Sequence, residues 1–203
     1  MSRTLDFYNL NADRMTAAYE TVDFSRVVTR FAEGLAPGTR VLDLGCGSGR
    51  DAATLLARGL DVTAADGSSE MLYHALRLHP ELQGRAYHAL LPGMLPFSDR
   101  SFQGVACWAV IMHLQRYELP LVFAEITRVL DFGGMFAYSV NTQRNGLDDS
   151  GTDEAGRHFT CMRPEEWESL HREAGLLTEH VEETEDITHR EGIRWATFFA
   201  RRR

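Results

Sequence analysis

The stretch Val41-Leu42-Asp43-Leu44-Gly45-Cys46-Gly47-Ser48-Gly49 decides the fold of this chain. Its first half has the composition of a short buried strand, and three glycines follow within five residues. Segment 51–58, which is rich in alanine and leucine, then predicts a buried helix that ends at Gly59. A strand that turns through glycines directly into a helix is typical of the first unit of a parallel α/β sheet.

Strand-like and helix-like segments alternate over most of the remaining chain. Further strands are predicted at 60–65, 85–89, 102–108 and 135–140, and further helices at 24–33, 69–78, 119–130 and 164–174. Two strand-like runs, 176–182 and 194–200, have no helix between them and must therefore pair as antiparallel neighbours. The pattern predicts one α/β domain over residues 1–203, with a mostly parallel, doubly wound sheet that ends in a C-terminal antiparallel hairpin.

Composition excludes several classes of protein. The 203 residues are 44% hydrophobic and 25% charged, without an apolar run of about 20 residues, so we expect a soluble globular protein with no membrane partner. A net charge of −8 would repel a phosphate backbone, which argues against a nucleic-acid partner. All 21 basic residues are arginine, and this excludes a Schiff-base lysine, a pyridoxal-phosphate site and a P-loop lysine.

The cysteines indicate a cellular compartment. Cys46, Cys107 and Cys161 are far apart and form neither a C-x-x-C pair nor, with histidines, the spacing of a metal site. Such cysteines are typical of a reducing environment, and the first ten residues lack the apolar core of a signal peptide. We therefore expect a cytoplasmic protein that binds no metal ion and is a monomer or a homodimer.

The glycine turn predicts a ligand site. Gly45, Gly47 and Gly49 lie at the carboxyl end of a strand and the start of a helix, where the backbone approaches a ligand closely and helical N–H groups favour a polar or anionic group. The dinucleotide fingerprint G-x-G-x-x-G is not completed, because Arg50 stands where its third glycine would be. A tight turn without a ligand is the alternative, and the position between strand and helix favours binding.

Two carboxylates accompany this turn. Asp66 ends the second predicted strand, where an open α/β sheet presents an acid to the hydroxyls of a ribose. Its alternative role is to cap the helix at 69–78, although Ser68 and Ser69 can already do so. Asp43 precedes the turn and would either attract an ammonium group or orient the turn through backbone N–H groups, two roles that the sequence does not separate.

Five segments together carry a family resemblance. Residues 41–51 and 62–72, followed in order by 95–102, 111–114 and 128–134, resemble the motifs of class I S-adenosylmethionine-dependent methyltransferases. This resemblance implies a Rossmann-like sheet of seven strands, mostly parallel with the last strand reversed. It also implies that S-adenosyl-L-methionine is the cofactor and that a small molecule accepts the methyl group by in-line displacement.

The same resemblance implies roles for individual residues. The turn from Gly45 to Gly49 would hold the methionine part of the cofactor, Asp66 the ribose hydroxyls, and Gly67 with Met71 the adenine. Segment 90–93 stands where many relatives carry an acid that contacts the adenine amine, and it contains none. The expected cofactor-binding residues are Asp43, Gly45, Cys46, Gly47, Gly49, Asp66, Gly67, Met71, Leu91 and Trp108.

Trp108 ends the fourth predicted strand and His113 follows it, so both stand at the carboxyl edge where ligands bind. His113 is the candidate catalytic residue, a general base for an acceptor that must lose a proton, with packing beside the next helix as its alternative. Trp108 would either wall the cofactor or belong to the core. A nicotinamide-dependent oxidoreductase and a cofactor-binding module without activity remain the alternative functions.

Two further segments are expected to cover the site. Residues 1–23, which include Tyr8, would form a lid over the cofactor, with simple surface packing as the alternative. The long acidic loop at 141–160 would lie on the substrate side, where Arg157 either binds an acceptor carboxylate or is only solvated. The acids of the C-terminal hairpin, Asp186 among them, are expected on a solvated face.

Overall fold

The computed structural model describes residues 3–203 of the chain, so the first two residues of the predicted lid lie outside the described part. The strands are β1 Arg40–Leu44, β2 Asp61–Asp66, β3 Ala86–His88, β4 Phe102–Trp108, β5 Leu130–Arg144, β6 Leu176–Glu185 and β7 Ile193–Arg202. The helices are α1 Arg3–Leu10, α2 Ala12–Glu20, α3 Ser25–Glu33, α4 Arg50–Ala57, α5 Ser69–Leu78, α6 Leu119–Val129 and α7 Pro164–Glu173. Over this range, the helices are too short or too polar to cross a membrane.

The seven strands form one sheet in the order β3-β2-β1-β4-β5-β7-β6. Neighbours from β3 to β5 are parallel, and β7 runs antiparallel to both β5 and β6. The predicted mostly parallel sheet with a terminal hairpin is therefore confirmed. The strand order reverses between β1 and β4, and in such sheets the crevice for ligands lies outside the carboxyl ends of these two strands.

The core lies on both faces of the sheet because neighbouring residues of a strand point in opposite directions. In β4, Val105 packs in one buried cluster with Phe123 of α6 and Trp167 of α7, whereas Ala106 packs in a second cluster with Phe31 of α3. Helices thus cover the two faces and leave the carboxyl edge of the strands for the site.

An aromatic stack joins the antiparallel part of the sheet to α7. The ring of Tyr138 stacks between those of Phe136 and Phe198, at centroid distances of 4.8 and 4.9 Å. The Tyr138 hydroxyl lies 2.7 Å from Nε2 of His171, whose Nδ1 lies 2.7 Å from the hydroxyl of Thr178. Burial lowers the pKa of His171 to about 4, so this imidazole is neutral at physiological pH.

Two segments differ from the sequence-based prediction. Helices α1 and α2 form within residues 1–23, for which no helix was predicted, and they are short with only weakly patterned apolar residues. Strand β5 extends past the predicted end at residue 140, because Gln143 and Arg144 pair with Arg194 and Ile193 of β7. The first residues of the predicted loop therefore belong to the sheet.

Candidate functional site

A cavity of about 640 Å³ lies at the carboxyl edge of the sheet, beneath α1 and α2. Its volume is in the range of small-molecule sites, roughly 300–1,000 Å³. Of the predicted site residues, those that line it are Asp43, Gly45, Cys46, Gly47, Asp66, Gly67, Met71, Leu91, Trp108 and His113. Gly49 is the predicted member that does not line this cavity.

The glycine turn forms the floor of the cavity. The N–H groups of Gly45 and Cys46 both donate to the carbonyl of Ala65, at 2.7 and 3.0 Å, which pins the end of β1 to β2. Gly45 has a φ of +77°, and a Cβ at this position would lie 2.2 Å from Cγ2 of Val110. The turn therefore requires glycine here for its backbone conformation and for the close approach of a side chain.

Gly49 has a packing role instead. It precedes α4 with a φ of +84°, and an added Cβ would lie 2.9 Å from Cδ1 of Leu82 and 3.2 Å from Cβ of Ala75. These residues belong to the 3-10 helix Pro80–Leu82 and to α5. The glycine thus lets α4 approach its neighbouring elements and faces away from the cavity.

Asp66 is held at the cavity wall by two backbone donors. Its Oδ2 accepts a hydrogen bond from the N–H of Gly47 at 2.9 Å, and its Oδ1 accepts one from the N–H of Ser68 at 2.8 Å. Burial raises the pKa of Asp66, and the two hydrogen bonds oppose that rise. The hydroxyl of Ser68 caps α5 by accepting from the N–H of Met71, so Asp66 is not needed as the helix cap.

Asp43 presents an unsatisfied carboxylate oxygen. Its side chain is buried, and Oδ2 has no hydrogen-bond partner within residues 3–203. Burial raises the pKa of Asp43 well above its ordinary value, and the negative charges of Asp51 and Asp66 raise it further. An ammonium group placed near this oxygen would relieve the cost of its desolvation, so the donor set fits a ligand that carries a positive charge.

The first two helices cover the cavity and are fastened by several hydrogen bonds. Asn9 of α1 accepts a hydrogen bond from the hydroxyl of Ser68 at 2.7 Å, and the hydroxyl of Thr4 accepts one from the N–H of His158 at 2.9 Å. The Arg50 guanidinium donates to two backbone carbonyls, that of Tyr19 at the end of α2 and that of Val22 just beyond it. The arginine that interrupts the dinucleotide fingerprint thus ties the covering helices to the glycine turn.

His113 is fixed in one neutral form. Its Nδ1 lies 2.7 Å from the carbonyl oxygen of His158, which only accepts hydrogen bonds, so Nδ1 carries the proton. Its Nε2 therefore accepts a hydrogen bond from the hydroxyl of Tyr8, at 3.0 Å. Burial lowers the pKa of His113 to about 4, and the positive charges of Arg157 and Arg144 act in the same direction. The lone pair of Nε2 faces the covering helix.

Trp108 lies at the cavity and in the core at the same time, and its role towards the cofactor stays a prediction. Its ring lines the cavity and also packs edge-on against Phe24 and Phe31, at centroid distances of 5.4 and 6.0 Å. Cys46 also lines the cavity, and burial raises the pKa of its thiol well above the ordinary value. Trp108 and Cys46 therefore contribute an uncharged part of the wall.

The opposite end of the cavity is lined by arginines. Arg157 was a sequence-based candidate, whereas Arg144 and Arg190 were not found by sequence reasoning. Asp186 is 3% exposed, which corrects its expected place on a solvated face. Its carboxylate accepts two hydrogen bonds from Arg190, at 2.7 and 3.0 Å, and one from the indole of Trp195, at 2.9 Å. These donors hold the pKa of Asp186 well below its usual range.

Comparisons with known proteins find methyltransferases among the proteins that this chain is similar to. Residues 41–134 match the family described as a methyltransferase domain. The malonyl-[acyl-carrier protein] O-methyltransferase of Erwinia pyrifoliae is 38% identical over 119 residues, which cover 56% of this chain and 42% of that relative. The demethylmenaquinone methyltransferase of Beutenbergia cavernae is 37% identical over 102 residues, covering 50% of this chain and 38% of the relative. The chain spans about two fifths of the length of these relatives.

Solved structures share the whole fold at lower identity. The 1,6-didemethyltoxoflavin-N1-methyltransferase of Burkholderia thailandensis, solved with 1,6-didemethyltoxoflavin and S-adenosylhomocysteine, has a TM-score of 0.77 and 20% identity, covering 98% of this chain and 87% of that one. The [4+2]-cyclase SpnF has a TM-score of 0.68 and 22% identity, covering 87% and 80% of the two chains. Because SpnF is named for a different reaction, the fold by itself does not decide the chemistry.

Proposed function

Because residues 41–134 match a methyltransferase-domain family, we propose that this chain is a class I, S-adenosylmethionine-dependent methyltransferase, which transfers a methyl group from S-adenosyl-L-methionine to a small-molecule acceptor. The observation that carries the proposal is the Asp66 carboxylate, which the N–H groups of Gly47 and Ser68 hold at the wall of a covered cavity. A carboxylate fixed beside a glycine turn is suited to accept hydrogen bonds from a ribose.

The lining residues divide into roles for the parts of the cofactor. Asp43 and the turn from Gly45 to Gly47 would hold the methionine part, with the unpartnered Oδ2 of Asp43 near its ammonium group. Asp66 would hold the ribose hydroxyls. The adenine would lie among the remaining predicted residues, namely Gly67, Met71 and Leu91, with Trp108 and Cys46 completing the wall.

Methyl transfer asks little covalent chemistry of the protein. The cofactor supplies a methyl group already activated on a positively charged sulfur. The acceptor would supply the attacking lone pair, so the residues of the cavity would have to hold that lone pair in line with the methyl carbon and opposite the sulfur. The chain's contribution is to align the acceptor and to exclude water, and the fastened helices α1 and α2 provide the cover.

His113 is the candidate proton acceptor. Its low pKa keeps the imidazole neutral at physiological pH, so the Nε2 lone pair is always present. The same low pKa makes it a weak base, which suits an acceptor whose own proton is acidic. Tyr8 occupies Nε2 in this structure, and the acceptor would either replace its hydroxyl or pass a proton through it.

The alternative functions and the remaining assignments stay proposals. The family match favours methyl transfer over hydride transfer, and a binding module without activity is an outcome of the test below. We also propose that residues 1–203 act as one domain, with 1–23 as its lid and 141–160 on the acceptor side. A cytoplasmic location, a monomeric or homodimeric state and the absence of a nucleic-acid partner remain predictions from the sequence.

Calorimetry with S-adenosylhomocysteine, S-adenosyl-L-methionine and NAD⁺ tests the proposal. We expect the first two ligands to bind and NAD⁺ not to bind; binding of NAD⁺ alone would instead support an oxidoreductase. The variant D66A should weaken S-adenosylhomocysteine binding by about 1 to 3 kcal/mol, which is the usual cost of losing a charge-assisted hydrogen bond. The matched control is D61A, at the other end of β2, where Asp61 is exposed and paired with Arg85.

Two results would reject parts of this scheme. Equal affinities of D66A and D61A for S-adenosylhomocysteine would mean that the ribose lies elsewhere. Binding of the cofactor without turnover of any acceptor in a broad panel would favour the module without activity.

A further inference from the structure

Arg144 and Arg157 converge on one aromatic ring inside the cavity. The guanidinium carbon of Arg144 lies 3.9 Å from the centroid of the Phe159 ring, and that of Arg157 lies 5.3 Å from it. Both arginine side chains are largely buried, at 10% and 18% exposure. Arginine stacks well on aromatic rings, and two such groups beside one ring concentrate positive charge in a low-dielectric setting.

The nearby carboxylate satisfies only one of these arginines. Oδ2 of Asp153 accepts from Nε and Nη2 of Arg157, at 3.0 and 2.6 Å, and Oδ1 accepts from the backbone N–H groups of Arg157 and Ala155. Arg144 is left 3.5 Å from the same Oδ2. Its Nε is buried and has no hydrogen-bond partner in the described part of the chain. A buried guanidinium N–H without an acceptor is costly, so the site lacks an anionic oxygen.

Arg190, a third arginine at this end of the cavity, is satisfied in the same way as Arg157. Its guanidinium makes two hydrogen bonds with the carboxylate of Asp186, which forms a closed pair. Burial lowers the pKa of Arg144, and the positive charges of Arg157 and Arg190 lower it further. Placing an anion beside Arg144 would reverse this effect, because an opposite charge stabilises the protonated guanidinium.

The arginines are also close to the candidate proton acceptor. The Phe159 ring, against which both lie, has its centroid 4.6 Å from that of the His113 ring. The end of the cavity near the glycine turn carries the carboxylates of Asp43 and Asp66 instead. The cavity is therefore acidic where a sulfonium nucleoside would bind and basic beyond His113.

We propose that Arg144 forms an anion subsite for the methyl acceptor, while Arg157, which is paired with Asp153, adds positive charge beside it. The subsite holds a carboxylate or phosphate group on an apolar or aromatic body while the atom that receives the methyl group points towards His113. This inference rests on the proposed function and narrows it to acceptors that carry an anionic anchor. The anchor binds by charge and by the planar donor pattern of the guanidinium, and the body packs against Phe159.

The test uses three probes of similar shape: benzoate, phenyl phosphate and the neutral benzamide. Each is titrated calorimetrically into the full chain, with and without S-adenosylhomocysteine. We expect at least one anion to bind tenfold or more tightly than benzamide, since a charged hydrogen bond is worth about tenfold or more in affinity. A preference for benzoate identifies carboxylates, and a preference for phenyl phosphate identifies phosphate esters. Equal binding of anions and benzamide, or no binding of either anion, overturns the proposal.

Variants locate the subsite. R144Q should weaken binding of the preferred anion tenfold or more and leave S-adenosylhomocysteine affinity unchanged, whereas R163Q, which changes an exposed arginine at the start of α7, should affect neither. R144K, which keeps the charge but loses the planar fork, should give an intermediate affinity. Unchanged anion binding by R144Q overturns the assignment to Arg144. Failure to bind S-adenosylhomocysteine, with anion selectivity intact in its absence, refutes the proposed function instead.

Discussion

Replacing Gly45 by alanine tests the account of the glycine turn. The new Cβ would lie 2.2 Å from Cγ2 of Val110, 3.0 Å from Cγ1 and 3.1 Å from Cβ. Because both methyl groups of this stiff β-branched side chain and its Cβ are close, rotation about χ1 does not remove the contact. The backbone must also keep a φ of +77°, which alanine adopts only with strain.

Gly38 provides a matched control for the strain. It has the same φ of +77°, but an added Cβ there would meet no atom within 4 Å. We expect G38A to lower the free energy of unfolding by about 1 to 2 kcal/mol, from the left-handed conformation alone. G45A carries that cost plus about 1 to 3 kcal/mol from overpacking against Val110. The two variants should therefore differ by about 1 to 3 kcal/mol.

Urea denaturation followed by circular dichroism measures this difference, with calorimetric binding of S-adenosylhomocysteine as the second measurement. The double variant G45A/V110A should lose less free energy of unfolding than the sum of the losses in the two single variants. The overpacking contact is absent in the double variant, while the backbone strain remains. G45A should also weaken the ligand's binding, and G38A should not. Equal losses of stability in G45A and G38A would refute the reasoning, because the contact with Val110 would then carry no cost.

Two further predictions concern charge and cover. His113 and His171 both have a pKa of about 4 in the folded protein, below the ordinary value of 6.5. Between these two values the unfolded chain binds more protons than the folded protein. The free energy of unfolding therefore falls as the pH drops from about 7 to 4. Urea titrations at several pH values should show a smaller loss in H113N than in the wild type, and an equal loss would contradict the lowered pKa. The variant R50Q removes the hydrogen bonds to the carbonyls of Tyr19 and Val22. Limited proteolysis should then cleave the segment 3–22 several times faster than in the wild type, and S-adenosylhomocysteine should dissociate faster. Unchanged cleavage of that segment would show that Arg50 does not fasten the cover.

The parallel part of the fold was predictable because its signals are local. Strand β4 and helix α5 have the bounds that the sequence predicted. An apolar run indicates the strand, and the helix is an amphipathic segment bounded by Ser68 and Pro80. Helices α1 and α2 lack such signals, because Thr4, Leu5 and Tyr8 of α1 face a cavity and not a continuous core. A regular spacing of apolar residues reveals the buried face of a helix only where that face packs against a continuous apolar core.

Those residues of the candidate site that stand directly at the end of a predicted strand were predictable from the sequence. The glycine turn and Asp66 follow directly from their strands, and the structure brings them to one cavity. The place of Arg144 in the site could not be predicted from the sequence. The polar end of β5 has the composition of a loop, and only its pairing with β7 makes it part of the sheet. Asp186 lies in a run of closely spaced acids that resembles a solvated face, and its burial depends on Arg190 and Trp195, which the hairpin brings together.

The position of β7 has a consequence for how the chain assembles. This strand comes after β6 in the sequence but lies between β5 and β6, so one edge of β5 and the inner edge of β6 have no hydrogen-bond partner until residues 193–202 have been synthesised. On a ribosome, the parallel strands β1 to β5 are able to pair while the chain is still growing, whereas the part of the cavity wall with Trp195 and Thr197 closes only at the last step. Chains that terminate before β7 would leave the long edge of β5 exposed, and an uncovered edge of that length invites pairing with other chains.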